Sequence, residues 1–167
     1  KDTTPLSFIG QDLFQSGQLA AELISMGQHP NAAFAILHFV EDQDNMIHLE
    51  EKEQGFRRYF NQKTKSSTIH TFILGTPQNS AFREQLTAVL DTPNLGGVFV
   101  STSRAYWVAS LIKEKNPEIR IIGYDLIKKN LECLQKAHID FLINQNPMRQ
   151  AKLGIQVLAN YLLFKKN

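Results

Sequence analysis

The sequence of 167 residues contains a single cysteine, Cys133, so no disulfide can form within the chain, and a reducing compartment is compatible with it. It contains no apolar run close to the roughly 20 residues of a membrane-spanning helix. It also has no block of basic residues, and its net charge of +2 gives little support for nucleic-acid binding by these residues. No signal peptide is present, but the chain starts at Lys1 rather than at a methionine, and we expect it to be part of a longer protein.

The sequence also lacks the short motifs that identify common catalytic and cofactor sites. After the first apolar segment the glycines lie at Gly10 and Gly17, a spacing that does not match the G-x-G-x-x-G turn of a dinucleotide site. There is no G-x-x-x-x-G-K-[ST] phosphate-binding loop, no H-E-x-x-H zinc motif and no G-x-S-x-G nucleophile elbow. The segment "DQDN" from Asp42 lacks the glycine and the final glutamate of a calcium loop, which favours a solvated acidic loop. We therefore predict no catalytic residue, no metal and no cofactor.

What the sequence does contain is a regular alternation of strand-like and helix-like segments. Short apolar segments predict six strands, at residues 5–10, 32–40, 67–74, 96–100, 120–124 and 139–143. Apolar residues at helical spacing predict a helix after each strand, including residues 12–26, 49–61 and 148–164. Strands that alternate with helices pair in parallel, and strands this apolar need both faces covered. We therefore predict an α/β fold, an open parallel sheet with helices on both faces.

Polar residues follow the predicted strands or open the helices after them. The residues at these positions are Gln11, Asp12, Lys52, Ser101, Asp125 and Gln145. Carboxyl ends of parallel strands share one edge of a sheet, where open α/β folds bind their ligands, so we expect donors and acceptors to line this edge. No nucleophile–base pair is evident among them, which favours binding a polyhydroxylated molecule over transforming one. Helix capping by Asp12, Ser103 or Asp125 is a plainer interpretation, as is a solvated helix charge for the lysine.

Five segments of the chain, taken in order, resemble the C-terminal part of the effector-binding region of lactose-repressor-family transcription regulators. The segments are "IGQDLFQSGQLAAELI", "EKEQGFRRYF", "GVFVSTSRAYWVA", "IRIIGYDLIKKNLECL" and "IDFLINQNPMRQAKLGIQVLANYL". That family shares the fold of periplasmic sugar-binding proteins. The resemblance covers nearly all of the chain. Its most specific parts are the strand that ends G-Y-D at Asp125 and the Q-N-P that begins at Gln145.

The resemblance implies a role in ligand binding for five residues. Asp125 matches the aspartate that accepts hydrogen bonds from ligand hydroxyls. Lys52 stands where the family usually has arginine, so a donor is kept but the planar fork of the guanidinium is lost. Ser101 stands where asparagine is common in sugar binders. Gln145 and Gln11 match positions where the chain crosses between two lobes.

The resemblance also implies how the chain is organised and what it does. Residues 1–143 would form the C-terminal lobe of a type I periplasmic-binding-protein fold, and residues 144–167 a hinge crossover and a helix that packs on a missing N-terminal lobe. A sugar-like effector between the lobes would control hinge closure, and an absent N-terminal head would bind DNA. We expect a cytoplasmic, homodimeric regulator of the repressor type with no membrane partner. An extracytoplasmic sugar-binding component of a transporter and a small α/β enzyme are the alternatives.

The last predicted helix is apolar around much of its circumference. Leu153, Val157 and Tyr161 recur at four-residue spacing, and other apolar residues widen the surface, namely Ile155, Leu158, Leu162 and Phe164. A helix with so wide an apolar surface is expected to be buried on more than one side. Without the other lobe, we expect it either to project and pack on a neighbouring chain or to fold back in a position that differs from the family's.

Overall fold

The computed structural model describes residues 6–39, 46–63 and 67–164. The helices are α1 (Leu13–Ser25), α2 (Met46–Gln62), α3 (Phe82–Leu90), α4 (Ala109–Lys115), α5 (Lys128–Gln135) and α6 (Pro147–Phe164). The strands are β1 (Ala33–Phe39), β2 (Ile69–Leu74), β3 (Leu95–Val100), β4 (Arg120–Tyr124) and β5 (Phe141–Ile143). A 3-10 helix, Ala105–Trp107, precedes α4. The acidic segment that begins at Asp42 lies outside the described residues.

The strands form a parallel sheet in the order β2-β1-β3-β4-β5. Side chains alternate between its two faces, so in β1 Ala35 and Leu37 enter one core while Phe34 and Ile36 enter the other. The first core is shared with α3 and α4, and the second with α1 and α2. Helices therefore cover both faces, and the predicted α/β fold with an open parallel sheet is confirmed.

The predicted strand at residues 5–10 is wrong for the part of it that the structure describes. Residues 6–10 form no strand, and Phe8 is 83% exposed. An apolar run of this length specifies a strand only where a neighbouring strand is available to satisfy its backbone hydrogen bonds. Pro5 lies outside the described residues. The other five predicted strands are all present in the sheet.

Two glycines allow α1 and α2 to approach each other until their backbones touch. A β-carbon added at Gly17 would lie 1.9 Å from the carbonyl oxygen of Lys52, and one added at Gly55 would lie 1.9 Å from that of Phe14. Only glycine leaves this space free, because every other residue carries a β-carbon. The contact fixes the position of α2 against α1 at the helical turn that carries Lys52.

The chain divides into two compact units. The sheet unit, residues 13–144, contains the sheet and α1 to α5. The terminal unit, residues 1–12 and 145–167, contains α6, and its Leu6 and Ile9 line a groove together with residues of that helix. No residue of α6 is buried, so the wide apolar surface predicted for this helix is exposed.

Across the described ranges, no helix has both the length and the apolar character needed to cross a membrane.

Candidate functional site

Three of the five predicted ligand-binding residues come together at the carboxyl edge of the sheet. Ser101 directly follows β3 and Asp125 directly follows β4, and these two parallel strands are neighbours. Lys52 lies in α2, the helix after β1, and its Nζ donates a hydrogen bond of 2.8 Å to the carbonyl oxygen of Ser101. These three residues are named the rim cluster below. Their role in binding a ligand stays a prediction.

Lys52 is a buried cation and not the solvated helix charge that the sequence also allowed. The residue is only 6% exposed. Its Nζ lies 3.9 Å from the centroid of the Tyr124 ring, in a cation–π contact. Burial lowers the pKa of Lys52 to about 8, while the charge of Asp125 acts in the opposite direction. The ring is held in place because Tyr124 is buried and its hydroxyl is hydrogen-bonded to that of Ser16.

The stability of the protein is expected to rise between about pH 8 and pH 10.5 because of Lys52. The pKa of Lys52 in the folded protein, about 8, lies below its ordinary value of 10.5. In that interval Lys52 keeps its proton in the unfolded chain and has lost it in the folded protein, so through this residue a rise in pH favours the folded state. The gain in the free energy of unfolding is on the order of 1–3 kcal/mol.

Urea unfolding of the wild type and of Lys52→Met at the two ends of this interval measures the gain. The variant has no group to deprotonate at this position, so it should lack the increment that the wild type shows. An equal change in both proteins would contradict the assignment of Lys52 as a buried cation.

Asp125 adopts a backbone conformation that is uncommon outside glycine, with φ of +65°. Aspartate tolerates this left-handed region better than most residues, and such conformations are concentrated at functional sites. Its N–H donates a 2.9 Å hydrogen bond to the carbonyl oxygen of Ile143, which ties the turn to the end of β5. The N-cap residue of α5 is Ile127, so Asp125 does not occupy the capping position of that helix.

A buried asparagine that sequence analysis did not single out holds the loops around Asp125. The side-chain amide of Asn130 donates to the carbonyl oxygens of Tyr124 at 2.8 Å, Ser103 at 2.9 Å and Asp125 at 3.2 Å. Its side-chain oxygen accepts a hydrogen bond of 3.1 Å from the N–H of Tyr106. Asn130 thus connects the loop after β3 to the loop after β4. The available signal was an asparagine inside a helix, where this residue is unfavourable unless its side chain has specific partners.

Ser101 belongs to a series of hydrogen-bonded polar groups, and sequence analysis missed its other two members, the buried His38 and the partly buried Glu53. Its Oγ lies 2.7 Å from Nδ1 of His38, and Nε2 of His38 lies 2.8 Å from Oε2 of Glu53. Serine, histidine and a carboxylate in this order are found in hydrolytic enzymes. Here Ser101 is completely buried and its Oγ also lies 3.2 Å from the carbonyl oxygen of Leu37, so the hydroxyl is not presented to a substrate. The available signal was a histidine within the otherwise apolar strand β1.

The other two predicted ligand-binding residues, Gln11 and Gln145, belong to the terminal unit. Gln11 does not follow a strand, because none forms at residues 6–10. Its side-chain oxygen has no hydrogen-bond partner among the described residues. The backbone oxygen of Gln145 accepts a hydrogen bond of 2.7 Å from the side chain of Gln150. The part that Gln11 and Gln145 play in a ligand site stays a prediction.

The carboxyl edge of the sheet offers hydrogen-bonding groups. In addition to the ammonium of Lys52 and the carboxylate of Asp125, this edge carries the hydroxyl of Thr102. That hydroxyl is buried and has no hydrogen-bond partner in the part of the chain that the structure describes. A buried polar atom without a partner is uncommon in proteins and calls for a water or a ligand group to satisfy it. No three His, Cys, Asp or Glu side chains in the described ranges are placed to hold a metal ion. This arrangement suits the binding of a molecule with several hydroxyl groups.

An open parallel sheet with helices on both faces and a polar carboxyl edge is the architecture of one lobe of a two-lobed, small-molecule-binding fold. Residues 1–166 match the family described as the periplasmic binding protein domain, and the chain belongs to this family. The resemblance seen in the sequence is thereby confirmed in its coarser form, the periplasmic-binding-protein-like fold. The finer assignment to lactose-repressor-type regulators is not singled out by the match.

Solved structures of two kinds are similar to the chain. One is named as a LacI transcriptional regulator from Bacteroides fragilis, with a TM-score of 0.82 and 27% identity over 97% of this chain. Another is a periplasmic ribose ABC transporter protein from Conexibacter woesei, with a TM-score of 0.82 and 20% identity over 99% of this chain. A third is an ABC transporter periplasmic solute-binding protein from Actinobacillus succinogenes with bound D-allose, with a TM-score of 0.75 and 19% identity over 98% of this chain.

The chain spans little more than half the length of these three structures. It covers 57% of the Bacteroides protein, 56% of the Conexibacter protein and 58% of the Actinobacillus protein. No curated protein is significantly similar to it. What the chain shares with these proteins is therefore the fold of part of their length.

Proposed function

We propose that this chain is the C-terminal lobe of a two-lobed sugar-binding protein and that the sugar binds at the rim cluster. The observation that carries the proposal is the convergence of Lys52, Ser101 and Asp125 at the carboxyl ends of neighbouring parallel strands. Membership of the periplasmic binding protein domain family supports it. The similar structure with bound D-allose supports a sugar as the class of ligand.

Asp125 is proposed as the principal acceptor for the hydroxyl groups of the sugar. A carboxylate accepts hydrogen bonds from two neighbouring hydroxyls at once, and these charge-assisted bonds are about twice as strong as those between neutral groups. The turn that carries Asp125 is fixed by Ile143 and by Asn130, so its position is set before a ligand arrives. Lys52 holds a positive charge near this carboxylate, and the unpartnered hydroxyl of Thr102 provides a further polar group at the same edge.

Residues 145–167, the C-terminal part of the terminal unit, are proposed to connect this lobe to a second lobe. In this arrangement residues 1–143 belong to the C-terminal lobe, and residues 144–167 form the crossover and a helix that packs on the other lobe. Two observations support it: the chain spans 57% of a similar structure, and α6 exposes large apolar side chains such as Ile155 and Leu162. Gln11 and Gln145 would contact the ligand from the crossovers.

We propose a sugar-responsive transcription regulator as the whole protein. It would be a cytoplasmic homodimer that binds DNA through an N-terminal head and changes its DNA affinity when the lobes close on the sugar. The five segments that resemble lactose-repressor-family regulators support this reading, as does the 27% identity to the protein named as a LacI regulator. An extracytoplasmic component of a sugar transporter is the second candidate, favoured by the similar transporter proteins. A helix-turn-helix or a signal peptide encoded upstream decides between the two.

Calorimetric titration of the full-length protein with a panel of pentoses and hexoses tests the proposed ligand class. The panel includes D-ribose and D-allose. We expect saturable binding of at least one sugar to the wild type and a large loss of affinity in Asp125→Asn. The absence of binding to every sugar in the panel would overturn the proposal.

A matched control for this titration is Asp91→Asn. Asp91 is an exposed aspartate at the C-cap of α3, just before the amino end of β3 and therefore at the opposite edge of the sheet. Its replacement removes the same charge from the same sheet unit without touching the rim cluster. Equal losses of affinity in the two variants would show that net charge and not the rim cluster governs binding.

A further inference from the structure

Two successive residues of α2 hold Ser101 by two separate routes. Lys52 donates directly to its carbonyl oxygen at 2.8 Å. Glu53 reaches its hydroxyl through His38, by contacts of 2.8 Å from Oε2 to Nε2 and 2.7 Å from Nδ1 to Oγ. His38 and Ser101 are both buried. Residues of α2 therefore hold Ser101 through both the backbone and the side chain of Ser101.

The hydrogen bonds around Glu53 determine that this side chain is ionised and that the neighbouring ring nitrogen of His38 carries a proton. Burial alone would raise the pKa of Glu53, but hydrogen bonds from His38, Thr71 and Arg57 lower it below its ordinary value. Oε1 accepts from Nε of Arg57 and from Oγ1 of Thr71, each at 2.7 Å. A carboxylate only accepts hydrogen bonds, so Nε2 of His38 must carry the proton that bridges it to Glu53.

With a proton on Nε2 and none on Nδ1, Nδ1 of His38 is an acceptor. The Ser101 hydroxyl then donates to Nδ1 at 2.7 Å, in preference to the carbonyl oxygen of Leu37 at 3.2 Å. That carbonyl already accepts the backbone N–H of Ser101 at 3.1 Å. Ser101 is thereby fixed at its N–H and at its hydroxyl, which fixes the direction in which its carbonyl oxygen meets Lys52.

The series is anchored at its outer end in the edge strand of the sheet. Arg57 donates through Nη2 to Oγ1 of Thr71 at 2.8 Å and through Nη1 to the carbonyl oxygen of Ile69 at 3.3 Å. Both acceptors belong to β2. A continuous path of hydrogen bonds therefore runs from β2 through Glu53 and His38 to Ser101 and ends at Lys52.

We propose that His38 and Glu53 are positioning residues for the sugar site and that they act through Ser101 on Lys52. The inference rests on the proposed function, because the rim cluster is the site that they position. Neither residue contacts the sugar in this account. Their effect is to keep the ammonium of Lys52 over the ring of Tyr124 and near the carboxylate of Asp125 at the edge of the sheet.

The proposal is tested on the sugar-free, full-length protein by NMR titration of the Lys52 side chain. The wild type should titrate at about pH 8. In His38→Phe and in Ser101→Ala the carbonyl oxygen of residue 101 is no longer held against Nζ, so the hydrogen bond that favours the charged lysine weakens and the titration midpoint should fall by about one pH unit. The second variant removes a single hydroxyl, so it gives the answer if the first does not fold. Unchanged midpoints in the variants that fold would overturn the proposal.

Thr71→Val is the matched control, because it removes one anchor at the outer end of the path and leaves the hydrogen bonds from Glu53 to Lys52 in place. Its Lys52 midpoint should match that of the wild type, and a fall equal to that in Ser101→Ala would overturn the proposed route. Glu53→Gln should move the proton of His38 from Nε2 to Nδ1, because the amide of glutamine donates where the carboxylate accepted. Nitrogen NMR of the ring reports this change, and a proton on Nδ1 in the wild type would also overturn the route.

The NMR titration tests the positioning role of His38 and Glu53, and the sugar titration tests the proposed function, so one proposal can be wrong while the other holds. If Lys52 shifts as expected but no sugar binds, the proposed function is wrong while the positioning series stands. If Asp125→Asn abolishes sugar binding but His38→Phe and Ser101→Ala leave the affinity unchanged, the positioning role is overturned. We expect these two variants to lower the affinity about tenfold.

Discussion

Replacing Asp125 by alanine or by asparagine is expected to weaken sugar binding by the full-length protein about 10- to 100-fold. A charge-assisted hydrogen bond contributes about 1.5–3 kcal/mol, and about 1.4 kcal/mol corresponds to a factor of ten in affinity. Calorimetric titration with the sugar that binds the wild type measures the loss. An unchanged affinity in both variants would show that Asp125 serves the turn after β4 and not the ligand.

The asparagine variant separates the ligand contact from the backbone conformation. Asp125 has φ of +65°, a region that asparagine tolerates and that alanine adopts only at a cost of about 1–2 kcal/mol. We therefore expect Asp125→Asn to unfold at the same urea concentration as the wild type and Asp125→Ala to unfold somewhat earlier. Both should keep the sheet, because the turn is also held through the backbone N–H of Asp125 and by Asn130. Loss of affinity with unchanged stability in the asparagine variant would assign the effect to the ligand.

Replacing Asn130 by alanine is expected to lower the free energy of unfolding by about 2–4 kcal/mol. The substitution leaves the N–H of Tyr106 and the carbonyl oxygens of Tyr124 and Ser103 without their partner. Each buried polar group that loses its partner costs about 1–3 kcal/mol, and the groups nearer the surface recover part of this from water. Urea unfolding followed by circular dichroism measures the change.

Asn61→Ala is the control for this measurement. Asn61 is an exposed asparagine in α2, so the same change of side chain should alter the free energy of unfolding by no more than about 0.5 kcal/mol. If Asn130→Ala costs as little as Asn61→Ala, the two loops at the carboxyl edge do not depend on the buried amide. Because these loops carry Ser101 and Asp125, Asn130→Ala should also weaken sugar binding.

The layered fold was predictable because its signal is local. The strands β1, β3 and β4 are apolar on both faces, and the spacing of apolar residues in the helices shows which side of each meets the sheet. The segment at residues 5–10 shows the limit of that signal. It is as apolar as a strand, but the sequence alone does not reveal whether a neighbouring strand is available to pair with it.

The rim cluster was predictable in part for the same reason. Ser101 and Asp125 are the residues at which an apolar strand ends, so their place at the carboxyl edge follows from the ends of the strands. The burial of Lys52 was not predictable, because it depends on the close approach of α1 and α2 at Gly17 and Gly55. A lysine at the same helical position on a free surface would have the same local sequence.

The residues that sequence analysis missed act through partners far along the chain. His38 meets Ser101 because β1 and β3 pair with Leu37 opposite Val100, a register that brings together residues 63 positions apart. Asn130 meets Ser103 across 27 positions through the packing of α5 beside the loop after β3. Neither pairing is visible in a periodic pattern, because it depends on strand register and helix placement. A buried polar residue in an apolar strand or inside a helix is the signal that such a partner exists.

A crystal structure of the full-length protein with the sugar that it binds tests the proposed sugar site most directly. We predict that hydroxyl groups of the sugar lie within hydrogen-bonding distance, about 2.5–3 Å, of the Asp125 carboxylate. The sugar should lie at the edge of the sheet formed by the ends of β3 and β4, next to Lys52 and Ser101. A sugar bound elsewhere, with no contact to Asp125, would contradict the assignment of the rim cluster as the ligand site.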